Sequence, residues 1–227
     1  MSAKGVNIER VEDGDLAVRP DSSGADLPEG LVVHGYGGNK EEMLGLAYHV
    51  AAAAQVRLRL FDLPGHTPDG DDLLTSRTAA AAVQKRVEAM SRPSFFIGHS
   101  LGARLGLAAG LPVGVIISLP GPARFEGGRR DLLKTLRVRR VRECEPFAGL
   151  VEILNDPFEP AAETLLLYAA NDIKSATDTA KEWRGAVERV ERIPETGHLD
   201  IVSHPKTWRT VSDWLGERVE RNMHESS

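Results

Sequence analysis

Short, almost unbroken apolar runs alternate along this chain with longer stretches in which apolar residues recur every three or four positions. The runs predict strands over residues 6–11, 16–19, 30–34, 56–62, 94–98, 114–119, 164–169 and 187–193. Leu31-Val32-Val33, Phe95-Phe96-Ile97 and Val115-Ile116-Ile117 have no polar face at all. Strands covered on both sides, as in a parallel sheet, have that composition. The helical stretches are 40–54, 75–90, 101–110, 175–187 and 205–222, with Asn39 and Thr75 as suitable N-caps. In the last of these, Trp208, Val211, Trp214, Leu215 and Val219 share one face, a stripe made to lie on the body of the protein.

Strand and helix in alternation predict an α/β fold with right-handed crossovers, a mostly parallel central sheet of about eight strands flanked by helices. The first two strands break the rhythm. They are joined by Glu12-Asp13-Gly14-Asp15, so an antiparallel hairpin at the N-terminal edge is expected. Residues 121–160 are too long for an ordinary connection. They contain two possible short helices, 129–136 and 146–154, whose leucines and Phe147 need burial. A small cap insertion at 121–160 within a single domain spanning 1–227 is the expectation.

Composition narrows the class of function. A formal charge of −5 over 227 residues argues against a nucleic-acid binder, which needs a basic surface. The single cysteine, Cys144, forbids an internal disulfide and is expected to serve packing. The first fifteen residues lack the apolar core of a signal peptide, and no apolar run approaches a membrane span. A cytoplasmic protein is expected. Oligomeric state is not encoded in any pattern seen here.

The strongest chemical signal is Gly98-His99-Ser100-Leu101-Gly102, directly after an apolar strand and directly before a helix. A serine on such a G-x-S-x-G turn is held strained, with its hydroxyl projecting from the end of the sheet. Side chains at Gly98 and Gly102 would collide with neighbouring backbone. The bland alternative is a glycine-rich turn around an inert serine.

On these residues the chain resembles the α/β-hydrolase family over nearly its whole length. The resemblance implies a serine hydrolase with the triad order serine, acid, histidine. Leu165-Leu166-Leu167-Tyr168-Ala169-Ala170-Asn171-Asp172 matches the acid-bearing turn, and Glu195-Thr196-Gly197-His198 matches the histidine loop. Asp172 and His198 take those roles by resemblance. Asn171 cannot replace Asp172, because an amide has no charge to stabilise imidazolium. Asp172 as a turn former, His198 as a loop histidine, and His198 with Asp200 and His204 as a metal site are the competing readings.

His34-Gly35-Tyr36-Gly37-Gly38 resembles the family's oxyanion loop, which implies the backbone N–H groups of Tyr36 and Leu101 as the two donors. Phe61-Asp62-Leu63-Pro64-Gly65-His66 resembles the loop after the next strand, with Thr67 where the family often has a second glycine. Asp62 and His66 are expected to be structural. The basic stretch Arg137-Val138-Arg139-Arg140-Val141-Arg142 reads as a surface face balanced by Glu126, Asp131, Glu143 and Glu145; steering of anionic substrates is the sharper alternative.

The implied activity is cleavage of carboxylic esters through an acyl-enzyme, with a small-molecule acyl ester as substrate and no metal or organic cofactor. A thioesterase is the nearest rival. A non-catalytic binding module on the same fold is the rival of another class.

Overall fold

The computed structural model describes residues 5–21, 27–67, 70–121, 141–145, 147–156 and 163–225. Eight strands form one sheet: β1 (Val6–Arg10), β2 (Leu16–Pro20), β3 (Glu29–Val33), β4 (Arg57–Phe61), β5 (Pro93–His99), β6 (Val113–Ile117), β7 (Glu163–Asn171) and β8 (Arg189–Gly197). Their order across the sheet is β1-β2-β4-β3-β5-β6-β7-β8. The pairs β1/β2 and β2/β4 are antiparallel, and every other pair is parallel.

The unbroken apolar runs are explained by two cores, one on each face. Val32, Ile97, Val115, Leu165 and Leu167 point to the face covered by α1 (Leu44–Ala54) and by the long C-terminal helix Pro205–Glu225. Leu31, Val33, Phe96, Ile116 and Leu166 point to the other, which holds α2 (Ser76–Glu88) and α3 (Leu101–Ala108). Successive strand residues alternate sides, so a strand with a core on both faces has no polar set. Val211, Trp214 and Leu215 of the C-terminal helix are buried and Trp208 is partly so, as its stripe requires; the side chain of Val219 lies outside the described residues.

The hairpin stands where expected, its turn carrying Asp13 and Gly14 at positive φ. It is locked by an unforeseen contact. Asp15, 2% exposed, accepts from Arg59 Nε (2.8 Å) and from Arg86 Nε and Nη2 (3.1 and 3.0 Å). Other boundaries moved for local reasons. The stretch 40–54 divides into a 3₁₀ turn, Lys40–Met43, and α1, with the Asn39 side chain accepting from Glu42 N–H. Thr75 caps α2 through a reciprocal capping box with Thr78. The stretch 175–187 stops early, at Lys174–Glu182, and is followed by a turn with Gly185 at φ 89°.

Within the expected insertion, helix α4 (Ala148–Asn155) corresponds to 146–154. The stretches 129–136 and 137–140 lie outside the described residues. The part that is described is built into the protein. Arg142 N–H donates to Gly65 O and Arg142 O accepts from Leu74 N–H (3.0 and 2.9 Å). Leu150, Ile153 and Leu154 share the core of α2 and α3. Cys144 is exposed, contrary to its expected packing role, because it lies in the short link between these backbone bonds and α4. Helix α5 is Lys174–Glu182 and α6 is Pro205–Glu225. Among the described residues no helix is long and apolar enough to cross a membrane.

Candidate active site

The site is assembled where parallel strands β5, β7 and β8 end. Ser100 follows β5 directly, with φ 52° and ψ −114°, a conformation that costs a non-glycine residue about 1–3 kcal/mol. Two glycines make the turn possible. A Cβ on Gly98 would stand 2.5 Å from Ala103 Cα and from Gly102 O, and one on Gly102 would stand 2.2 Å from Val33 O. Each contact is with backbone, which cannot rotate aside. Ser100 N–H donates to Ile117 O (2.9 Å), tying the turn to β6.

His198 and Asp172 reach Ser100 from the ends of β8 and β7. Ser100 Oγ–H donates to His198 Nε2 (3.0 Å), and His198 Nδ1–H donates to Asp172 Oδ1 (2.6 Å). An ionised carboxylate only accepts, so Nδ1 carries the proton and Nε2 is free to take one. Asp172 Oδ2 also accepts from Ser118 Oγ (2.6 Å) and Ala169 N–H (2.9 Å), and Oδ1 from Ile173 N–H (2.9 Å). Burial alone would raise the Asp172 pKa. The hydrogen bond and charge of His198, with Ser118 and the Ala169 N–H, outweigh burial and hold it below the ordinary carboxylate range.

Ser118 escaped the sequence reading. It is fully buried and stands at φ 51°, one residue beyond β6. The only hint was a hydroxyl at the carboxyl end of an apolar strand beside the acid-bearing strand.

The loop 34–38 lies on the other flank of Ser100. A Cβ on Gly35 would stand 2.8 Å from His99 Nδ1 and 3.3 Å from Ser100 Cβ, so the loop passes as close to the serine as glycine allows. Two neutral histidines hold it. His34 Nδ1–H donates to Gly35 O (2.7 Å) while its Nε2 accepts from Leu63 N–H (3.0 Å). His66 Nδ1–H donates to Pro64 O (3.0 Å) while its Nε2 accepts from Gly37 N–H (3.0 Å). Burial pushes the pKa of both down, that of His34 to about 3. Asp62 accepts from Lys40 N–H (2.8 Å) and pairs with Lys40 Nζ, anchoring the loop's exit.

Tyr36 links this loop to the insertion. Its hydroxyl donates to Glu143 Oε2 (2.6 Å), and Glu143 also accepts from Phe147 N–H (2.8 Å) and Leu150 N–H (3.2 Å). Glu143 thus caps α4, a different task from balancing surface arginines. Arg104 of α3 holds the other end of α4 through the Leu154 carbonyl (2.7 Å).

A groove of about 380 Å³ lies between the loop 34–38 and residues 199–203, walled by Tyr36, Gly37, Glu42, Met43, Leu199 and Val202. Asp200 and His204 do not converge with His198: Asp200 Oδ1 accepts from Gly197 N–H (2.6 Å) and His204 Nδ1 from Lys206 N–H (3.2 Å).

A model of the alpha/beta hydrolase family matches residues 31–152, more than half of the chain. Comparison with curated proteins finds no match. Among solved structures, a membrane phospholipase A described as a bacterial virulence factor shares 20% identity and superposes with a TM-score of 0.63, covering 96% of this chain and 87% of its own. The thioesterase domain from the curacin biosynthetic pathway shares 16% identity at TM-score 0.63, covering 93% and 98%. A monoacylglycerol lipase from Paleococcus ferrophilus shares 18% identity at TM-score 0.63, covering 85% and 96%. At such identities the likeness is one of fold.

Proposed function

Because this chain belongs to the α/β-hydrolase family, we propose that it is a serine hydrolase that cleaves carboxylic ester-type bonds through an acyl-enzyme, with Ser100, His198 and Asp172 as its triad. The observation that carries this reading is the continuous hydrogen-bonded line from Ser100 Oγ through His198 to Asp172, with the serine on a strained turn at the end of a strand.

In this reading His198 Nε2 takes the hydroxyl proton as Ser100 Oγ attacks the ester carbonyl carbon. Asp172 keeps the imidazole in its Nδ1–H tautomer and stabilises the imidazolium. The carbonyl oxygen becomes an oxyanion that accepts from the N–H groups of Tyr36 and Leu101. Loss of one such donor costs about 10²–10³ in rate. The C–O bond to the leaving alcohol breaks, and that oxygen takes the proton from His198. Water then gives a proton to His198 Nε2 as its oxygen bonds to the acyl carbon. The bond between the acyl carbon and Ser100 Oγ breaks, and His198 returns the proton to Oγ, releasing the acid and free Ser100.

Acyl substrates are the chemistry named for three structural neighbours, the phospholipase A, the monoacylglycerol lipase and the thioesterase domain, while others of the same fold are named as an epoxide hydrolase and a bromoperoxidase. Thioester cleavage would use the same parts. The ratio of kcat/KM for an oxygen ester and its matched thioester separates the two.

The test is labelling by a fluorophosphonate, mapped by mass spectrometry, together with hydrolysis of p-nitrophenyl butyrate. Wild type is expected to carry the adduct on Ser100. Ser100→Ala should fold, take no label and lose turnover by about 10³-fold or more. A folded wild type that neither labels nor turns over would leave a binding module as the better reading.

A further inference from the structure

His99 takes no part in the chemistry above, yet its ring is buried at the centre of the site. It is the last residue of β5 and is 5% exposed. Its Nε2 lies 2.8 Å from the backbone carbonyl oxygen of His198. A carbonyl only accepts, so the proton is on Nε2 and the bond is Nε2–H to His198 O. The opposite edge of the ring, Nδ1, packs on Gly35, and the ring centroid is 5.3 Å from that of His198. One residue, peptide-bonded to Ser100, therefore bonds the histidine loop and backs the loop 34–38 through its side chain.

The histidine loop needs such a tie. It leaves β8, which among the described residues is an edge strand paired only with β7. Glu195 stands at φ 57°, and the β7/β8 register shifts between Ala169 and Asn171. The bonds of Thr196 Oγ to Ile193 O and of Gly197 N–H to Asp200 Oδ1 are local. They shape the loop without setting its distance from β5.

We propose that His99 is a positioning residue: its Nε2–H clamps the main chain of His198 to the nucleophile turn and so sets the distance between His198 Nε2 and Ser100 Oγ. This rests on the triad reading above. A displacement of about 1 Å between reacting groups costs on the order of 10²-fold in rate, so one buried bond at this point has a large lever. Burial and the nearby His198 push the His99 pKa down to about 3. The clamp is therefore neutral and does not oppose the charge that forms on His198.

Gln and Asn at position 99 separate a clamp from mere packing. The amide nitrogen of Gln reaches the place of Nε2, whereas that of Asn stops near Nδ1 and faces Gly35. Wild type, His99→Gln, His99→Asn and His99→Leu are compared by thermal unfolding, by kcat and KM for p-nitrophenyl butyrate, and by the fluorophosphonate labelling rate. His99→Asn and His99→Leu are expected to lose about 10–100-fold in kcat and in labelling rate with KM changed less than about threefold. His99→Gln is expected to recover to within about threefold of wild type. Should His99→Leu not fold, the folded Asn and Gln variants decide. Equal rates for Asn and Gln beside an active wild type overturn the clamp alone. A wild type that neither labels nor hydrolyses the ester overturns the triad reading and the clamp with it.

Discussion

The two flanks of Ser100 are built on different principles. On the His198 side, the groups proposed to act are side-chain atoms, each in a bond with a partner remote in sequence: Ser100 to His198, His198 to Asp172, Asp172 to Ser118. On the loop 34–38 side, the groups proposed to act are main-chain N–H groups, and side chains only hold the backbone that bears them. Gly35 gives the close approach, while His34, His66 and Asp62 fasten the loop. A side-chain network fails when one atom changes. Short of proline, which has no N–H, a substitution cannot remove a backbone donor; it can only move it.

The sharpest way to break the comparison is Asp172→Asn. The charge that stabilises imidazolium disappears, and the amide can favour the wrong tautomer. A loss in kcat of about 10⁴-fold is expected in a protein that still folds. A loss below tenfold, read from steady-state rates beside a wild-type circular dichroism spectrum, would mean that this flank does not work as a charge network.

Gly35→Ala probes the other flank. Its Cβ would stand 2.8 Å from His99 Nδ1, so the loop or the ring must shift. Moving a donor rather than deleting it is expected to lower kcat by about 10–100-fold with KM little changed. Unaltered kinetics would show that the loop has more room than its contacts suggest.

The smallest effect is in stability. His34 and His99 are folded in the neutral form, with pKa values pushed from 6.5 to about 3. Between those values the unfolded chain binds protons that the folded chain does not. Stability therefore falls as pH drops below about 6.5, by up to about 1.4 kcal/mol per pH unit for each such histidine. Asp172 has the opposite kind of shift: its contribution is complete above the ordinary carboxylate pKa and is lost only as pH falls below about 4. Urea midpoints between pH 6.5 and 4.5 thus sample the histidines, with His66 adding in the same direction. His99→Gln should flatten that slope by one histidine's share. A slope unchanged in the variant would show that His99 is not held neutral by burial.

Much of this was legible in one dimension because of what two-sided burial demands. A strand covered on both faces must be apolar at every position, so Leu31–Val33, Phe96 and Val115–Ile117 announce themselves. The turn around Ser100 is local in its motif and partly tertiary in its cause: a side chain at Gly98 would strike the backbone of Gly102 and Ala103, and one at Gly102 would strike Val33 O on the adjoining strand β3. The hairpin was readable from its turn, but the burial of Asp15 under Arg59 and Arg86 was not, because the two arginines lie 44 and 71 positions from it.

By itself the sequence determined the α/β architecture, the strained serine turn, and the residues able to supply a base and an acid. Those follow from periodicity, glycine sterics and side-chain chemistry, which act over a few residues or at single positions. Only the tertiary structure decided that Ser118 supports Asp172, that Glu143 joins Tyr36 to α4, and that His99 reaches the main chain of His198. Each is a directional bond between atoms whose separation along the chain is large. Hydrogen bonds of about 3 Å depend on how whole strands are placed, and no local pattern records that placement.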